Sequence, residues 1–125
     1  MISVKKYILD LFGETLMLEV RDRAINEWTG IIEGRMKSPN SQEIFEKLQH
    51  LQPEDKIYLK QLFSEVVDTT LHFLLSLVEE SEQIDIVFHA DSGETLNIKE
   101  ISDGLAGELY TEDGWIARFS ERSVL

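Results

Sequence analysis

The sequence of 125 residues contains no cysteine, only two prolines and seven glycines. The lack of cysteine excludes disulfide bonds, thiolate metal ligands and cysteine nucleophiles. The small numbers of proline and glycine, together with 42% hydrophobic residues, exclude a collagen-like or low-complexity chain. The composition is that of a globular protein, and the length predicts a single domain over residues 1–125.

Positive charge is also scarce, because 12 Lys and Arg residues stand against 24 Asp and Glu residues, which gives a net charge of −12. This charge has the wrong sign for the phosphate backbone of nucleic acids or for an anionic membrane surface. No apolar run approaches the roughly 20 residues that span a bilayer. The apolar N-terminal stretch is broken by Asp10 and stopped at Gly13, unlike a secretory signal. We therefore expect a cytoplasmic protein that binds neither nucleic acid nor membrane.

The N-terminal region, by contrast, is rich in apolar residues at helical spacing. Residues 4–12 predict a short amphipathic helix that Gly13 ends. Residues 14–37 predict a second helix, with Met17 and Trp28 on the stripe that faces the core. Trp28 is therefore expected to be buried.

Two more helices are predicted before residue 81. The break at residues 38–41 offers serine N-caps for a short third helix. Pro53 followed by two acids is a helix-start signature, since the first turn does not need the N–H that proline lacks. The apolar residues between 71 and 78 cover most of the helix circumference, so this half of the long fourth helix is expected to be sandwiched between layers.

After the long helix, the period of the apolar residues changes to two. Residues 84–88 and 96–98, joined by a turn at residues 91–94, predict a first hairpin. Residues 105–110 and 115–120 predict a second hairpin. The predicted fold is therefore α+β, with about four N-terminal helices, one of them long, packed on one face of a C-terminal antiparallel sheet of three to four strands.

The acidic residues are segregated along the chain. Residues 61–117 hold thirteen acids and a single base, Lys99, whereas the rest of the chain is nearly neutral. Such a field can steer a basic partner and accelerate its association by about 10 to 10³-fold at low salt. The alternative is that these acids only solubilise the chain and serve ordinary turn chemistry. The residues predicted to contact a basic protein partner are Asp91, Glu94, Asp103, Glu108, Tyr110, Glu112, Asp113 and Trp115.

Two aromatic residues in this set, Tyr110 and Trp115, flank a predicted turn. On an uncovered sheet face they would form an aromatic patch beside acids, which suits recognition of a basic protein surface. They could instead form a cross-strand pair that only stabilises the hairpin. Strand alternation does not decide which face of the sheet is covered, so both interpretations remain open.

Catalytic signals are weak. Glu65, Asp68 and His72 lie at spacings of three and four on one side of the long helix, as in part of a metal site. They lack a second histidine and matching ligands on another helix, and a solvated helix face is the alternative. Residues 103–108 lack the Gly-Lys-Ser/Thr ending of a phosphate loop, and residues 91–94 lack the ligand spacing of a calcium loop. No metal or other cofactor is therefore expected.

Two functional hypotheses follow. The first is a non-catalytic intracellular interaction protein whose acidic C-terminal half binds a basic protein partner, for example an immunity or inhibitor protein that neutralises a cationic toxin such as a nuclease. The second is a small metal- or ligand-binding enzyme domain that uses Glu65, Asp68 and His72. A homodimer formed through the long helix or an open sheet edge is compatible with either hypothesis.

Overall fold

A computed structural model describes residues 3–122 of the chain. The fold is 66% helical and combines one long helix with a small antiparallel sheet. The helices are α1 Val4–Leu16, α2 Asp22–Ile32, α3 Pro39–Lys47, α4 Pro53–Glu80 and α5 Trp115–Phe119. The other elements are a π-helical turn between α1 and α2, Met17–Arg21, the strands β1 Val87–His89 and β2 Thr95–Asn97, and the 3₁₀ helices Ile98–Ile101 and Ala106–Leu109.

The first two helices and the π turn form one continuous helical rod. The prediction that Gly13 ends the first helix is wrong, because Gly13 lies inside α1. Glycine is required there since the indole of Trp115 packs against the backbone, and a Cβ atom at position 13 would lie 2.5 Å from the indole Cε2. The rod ends after Ile32, where Gly34 adopts a φ of +79° that favours glycine. The helix predicted to reach residue 37 therefore stops earlier.

The π turn changes which residues face the core. A π turn winds more loosely than an α-helix, and the buried stripe that includes Met17 continues through Arg21 and Ile25. The prediction that Trp28 is buried is wrong. Its side chain is 39% exposed and packs against Phe63 of α4, with ring centroids 5.4 Å apart.

The next two helices begin where the sequence predicts. The Oγ atom of Ser38 accepts a hydrogen bond from the backbone N–H of Ser41 at 3.2 Å and caps α3. Pro53 occupies the first turn of α4, and this helix runs unbroken to Glu80. The N-cap and proline signals are therefore confirmed.

The long helix α4 is covered on one side only. Leu71, Leu75 and Val78 face the core and are 4%, 0% and 2% exposed. A step of two residues turns about 200° around a helix. Phe73 and Leu77 consequently point away from the core and are 66% and 52% exposed. The expectation that this half of α4 is sandwiched between layers is therefore wrong.

The predicted sheet of three to four strands is also wrong. Within residues 3–122 the sheet contains only β1 and β2, which pair antiparallel with Phe88 opposite Leu96. The 3₁₀ helix Ala106–Leu109 and α5 take the place of the second predicted hairpin. Leu105 and Leu109 are four residues apart, which fits both the helical period of 3.6 and the strand period of two. A stretch this short therefore does not distinguish a helix from a strand.

The C-terminal elements complete the core against α1 and α4. Trp115 and Leu109 are 1% and 0% exposed. The core consists of Ile8, Leu9, Met17, Leu71, Leu75, Val78, Ile98, Leu105, Ala106, Leu109 and Trp115. Among residues 3–122, no helix is both long enough and apolar enough to cross a membrane.

Candidate partner-binding surface

The acids at the hairpin turn are presented beside the start of α1. Asp91 and Glu94 lie between β1 and β2, and both side chains are exposed. Asp91 lines a groove of about 280 Å³ together with Val4 and Tyr7 of α1.

The next two predicted site residues, Asp103 and Glu108, flank a segment that is fastened to α4. The backbone N–H of Leu105 donates a hydrogen bond to the carboxylate of Glu79, near the C-terminal end of α4. The Oγ atom of Ser102 donates to Oε2 of Glu108 at 3.1 Å, which holds the half-buried Glu108 in place. Asp103 is exposed beside this segment.

Tyr110 contacts His72 in the middle of α4. Its Oη atom lies 3.1 Å from Nδ1 of His72. Phe73 contacts the same imidazole edge-on, with ring centroids 5.4 Å apart. Because Tyr110 is 41% exposed and Phe73 66% exposed, the three rings form an aromatic cluster that is open to solvent. Tyr110 therefore contributes to an exposed aromatic patch, but its neighbours come from α4.

The electrostatic environment keeps the phenol of Tyr110 protonated. Burial raises the pKa of Tyr110 above its ordinary value of 10.0, and the nearby charge of Asp68 raises it further. The neutral phenol can donate its proton in a hydrogen bond to the imidazole of His72 at neutral pH.

Trp115 is a core residue and not a surface residue. It is 1% exposed and packs edge-on against Phe12, with ring centroids 5.5 Å apart. Position 115 begins α5, so Trp115 neither joins the patch around Tyr110 nor forms a cross-strand pair. The prediction that Trp115 contacts a partner is therefore wrong, and Trp115 is not part of the candidate surface.

The loop after Tyr110 carries Glu112 and Asp113, which are both exposed. Arg118 of α5 partly balances this charge. Its guanidinium donates a hydrogen bond to Asp10 at 2.7 Å, which raises the pKa of Arg118, and the charges of Glu108 and Asp113 add to that effect. This arginine directly follows the acidic segment 61–117 in the sequence.

Among the described residues 3–122, most exposed carboxylates of the acidic half have no cation beside them. Lys99 hydrogen-bonds Asp85, with Nζ and Oδ1 2.8 Å apart, and holds the pKa of that carboxyl below its ordinary value. Arg21 pairs with Asp68. Within residues 3–122 no ion pair shorter than 4.0 Å involves the exposed acids Glu65, Glu80, Glu82, Asp91, Glu94, Glu100, Asp103, Glu112 and Asp113.

Two of the three residues of the metal-binding hypothesis have separate partners. Asp68 accepts hydrogen bonds from Nε of Arg21 at 2.6 Å and from Nη2 at 3.2 Å. His72 is engaged by Tyr110, and Glu65 is exposed. In the part of the chain that the structure describes, no group of three or more His, Asp or Glu side chains is arranged to hold a metal ion.

Sequence reasoning missed two buried charges at the π turn. Arg21 and Asp22 are 3% and 4% exposed, and Asp22 accepts a hydrogen bond from Oγ of Ser120 at 2.6 Å. The signal that could have found Arg21 is its position four residues after Met17 and four before Ile25, which both face the core.

No protein-family model, curated protein or solved structure matches this chain.

Proposed function

We propose that this chain is a non-catalytic intracellular interaction protein whose acidic C-terminal half binds a basic protein partner. In its concrete form it is an immunity or inhibitor protein that acts in the cytoplasm and covers a cationic toxin such as a nuclease. One observation carries the proposal. Exposed carboxylates that have no cation partner within residues 3–122 lie in the same half of the chain as the exposed aromatic cluster of Tyr110, His72 and Phe73.

The two parts of this surface have different physical roles. Unpaired carboxylates attract a basic partner over a distance and can raise its association rate by about 10 to 10³-fold at low salt. Tyr110 and Phe73 offer ring area that loses contact with water on binding, and aromatic residues are enriched among those that dominate binding energy. A nuclease site must be positive to hold phosphate, so an acidic surface complements it.

The metal- or ligand-binding alternative has less support from the geometry. Asp68 is committed to Arg21, and His72 to Tyr110. A rise in melting temperature on addition of a divalent metal, lost in His72→Ala, would reverse this ranking. An unchanged melting curve is the expected result.

Affinity capture of the tagged full chain from lysate of its source organism, at low and at high salt, tests the proposal. We expect a stoichiometric basic protein that is retained at low salt and lost at high salt. Glu112→Lys with Asp113→Lys should abolish the retention. Glu27→Lys with Glu46→Lys, an equal charge change at exposed positions outside the acidic half, should preserve it. Retention of no basic protein at low salt, or equal loss in both variants, would contradict the proposal.

A further inference from the structure

The long helix carries a second apolar face opposite the one that packs in the core. We call this face the α4 stripe, and its residues are Leu59, Leu62, Val66, Thr69, Phe73 and Leu77. Successive members are three or four residues apart, which is the spacing of a helix that packs against another helix. Val66, Phe73 and Leu77 are 62%, 66% and 52% exposed.

The α4 stripe is uncharged and long. It extends over about 27 Å of helix axis. Leu62, Val66 and Thr69 line a shallow depression of about 290 Å³ along the helix. A contiguous exposed apolar surface on a charged protein marks an interaction site.

One edge of the α4 stripe is acidic. Glu65, His72 and Glu79 are seven residues apart and therefore lie along the same side of the helix. Glu65 and Glu79 are exposed, and neither forms an ion pair among residues 3–122, although Oε1 of Glu79 accepts the hydrogen bond from the backbone N–H of Leu105. The opposite edge carries Leu74, which is uncharged and 47% exposed. A complementary helix would therefore need an apolar face and a basic edge.

We propose that the α4 stripe receives a cationic amphipathic helix of the basic partner. The partner helix lays its apolar face along the stripe and sets Lys or Arg side chains against Glu65 and Glu79. The adjoining Tyr110 contacts the same helix from beside His72. This inference rests on the proposed function and names the partner element that the acidic half binds.

A second copy of this chain fits the α4 stripe less well. Two copies that pack through the stripe, in either orientation, bring together two chains of net charge −12, which repel each other. A cationic helix has the opposite charge and is attracted to the same face.

Two dye-labelled synthetic peptides of about 21 residues, or three heptads, test this inference. The first has leucine at heptad spacing with lysine at the flanking positions. The second has the same composition in an order that destroys the periodicity. Fluorescence anisotropy at low salt should give a Kd for the heptad peptide at least about tenfold lower than for its scrambled counterpart.

Matched substitutions locate the binding site on α4. Phe73→Ser with Leu77→Ser should weaken the heptad peptide about tenfold or more. Ile57→Ser with Val20→Ser is the control, because these two residues are 57% and 47% exposed but belong neither to the stripe nor to its acidic edge. Circular dichroism should show all variants to be helical, since none of the four positions is buried.

Each contrary result overturns a different claim. Equal binding of the two peptides, or binding unaffected by the stripe substitutions, refutes the helix proposal while leaving the acidic surface and the proposed function in place. A dimer at micromolar concentration that dissociates on the Phe73 and Leu77 substitutions and fails to bind the heptad peptide assigns the stripe to a second copy. The proposed function itself fails separately, when capture at low salt retains no basic protein.

Discussion

Arg21 in the π turn donates a hydrogen bond through Nε to Asp68 in the middle of α4, with the two atoms 2.6 Å apart. The same guanidinium donates through Nη1 to Oγ of Ser120 at 2.9 Å. Asp22, the next residue, accepts from the backbone N–H of Glu121 at 2.8 Å. The π turn thus directs two adjacent charges inward. Their hydrogen bonds connect the first helical rod to α4 and to the C-terminal segment.

Asp68→Asn is expected to destabilise the protein. The guanidinium of Arg21, which is 3% exposed, has two carboxylate partners, and the substitution removes Asp68 while leaving Asp22, whose Oδ1 atom lies 3.3 Å from Nη1. We therefore expect a loss of about 1–3 kcal/mol, above that of an exposed pair and below that of a buried cation left with no partner. Urea unfolding measures this difference in the free energy of unfolding.

Glu43→Gln is the control for that measurement. Glu43 forms an ion pair with Lys47 on the surface of α3, and both side chains are more than half exposed. Exposed pairs of this kind contribute about 0.2–1 kcal/mol. Equal effects of the two substitutions would show that the Arg21–Asp68 pair has no special structural role.

Gly13→Ala is expected to destabilise the packing of Trp115 on α1. The added methyl group would lie 2.5 Å from the indole Cε2, and overpacking of this kind costs about 1–3 kcal/mol. Gly107→Ala is the control, since no atom lies within 4 Å of the position that its Cβ would take. Thermal unfolding should give a lower melting temperature for the first variant only. A melting temperature of Gly13→Ala equal to that of the wild type would show that Trp115 does not pack as described.

The ion pair between Asp10 and Arg118 should make stability depend on pH in the acidic range. The hydrogen bond from Arg118 holds the pKa of Asp10 below its ordinary value of 3.8, against burial, which raises it. A carboxyl whose pKa is lower in the folded state stabilises the fold above its unfolded-state pKa. That contribution is lost as the pH falls through the folded-state pKa.

Asp10→Asn is therefore expected to lower the free energy of unfolding near neutral pH by about 1 kcal/mol or less, since the pair is partly exposed. The difference from the wild type should shrink as the pH falls below the ordinary pKa of 3.8. Asp91→Asn, at an exposed carboxyl, should change the stability near neutral pH by less than about 0.5 kcal/mol. A constant difference between Asp10→Asn and the wild type at every pH would contradict the role of the charge.

The raised pKa of Tyr110 can be measured directly by its absorbance at alkaline pH. Burial and the charge of Asp68 both favour the neutral phenol, so one tyrosine should ionise above the ordinary value of 10.0. Tyr110→Phe should remove this transition, whereas Tyr58→Phe should leave it in place. Persistence of the high transition in Tyr110→Phe would mean that Tyr110 does not occupy the environment beside His72 and Asp68.

Local signals in the sequence predict the helices well where capping chemistry is explicit. Ser38 and Pro53 mark the starts of α3 and α4 because an N-cap hydroxyl and a first-turn proline act within a few residues of their own position. The two-residue period also indicates a hairpin in the right region, but the strands Val87–His89 and Thr95–Asn97 are only three residues long and differ in their bounds from the predicted 84–88 and 96–98.

Features that depend on distant contacts could not be predicted in this way. From the sequence, Gly13 is typical of a helix stop. Its actual role depends on the indole of Trp115, about a hundred residues later, which occupies the space beside it. The segments around Leu109 and Trp115 are too short for their period to separate strand from helix. The spacing of Arg21 from Met17 and Ile25 indicates its inward direction, but its partners Asp68 and Ser120 lie 47 and 99 residues away, so no local signal identifies them.

The candidate surface also has features that the sequence predicts and features that depend on distant contacts. The sequence predicts its acids, because the segregation of charge along the chain can be counted without knowing the fold. The pairing of Tyr110 with His72 joins positions 38 residues apart, so only the fold shows it. The all-round apolar character of α4 is visible in the sequence, but which of its sides is uncovered is decided by the elements that pack on Leu71 and Leu75.

The affinity of the captured partner as a function of salt tests the central claim most directly. Titration calorimetry would compare the wild type, Glu112→Lys with Asp113→Lys, and the control Glu27→Lys with Glu46→Lys. An acidic binding surface predicts a loss of about tenfold or more and a weaker salt dependence in the first variant, with the control close to the wild type. Equal affinities and equal salt dependence in all three proteins would contradict it, and would leave the acids of the C-terminal half with a solubilising role.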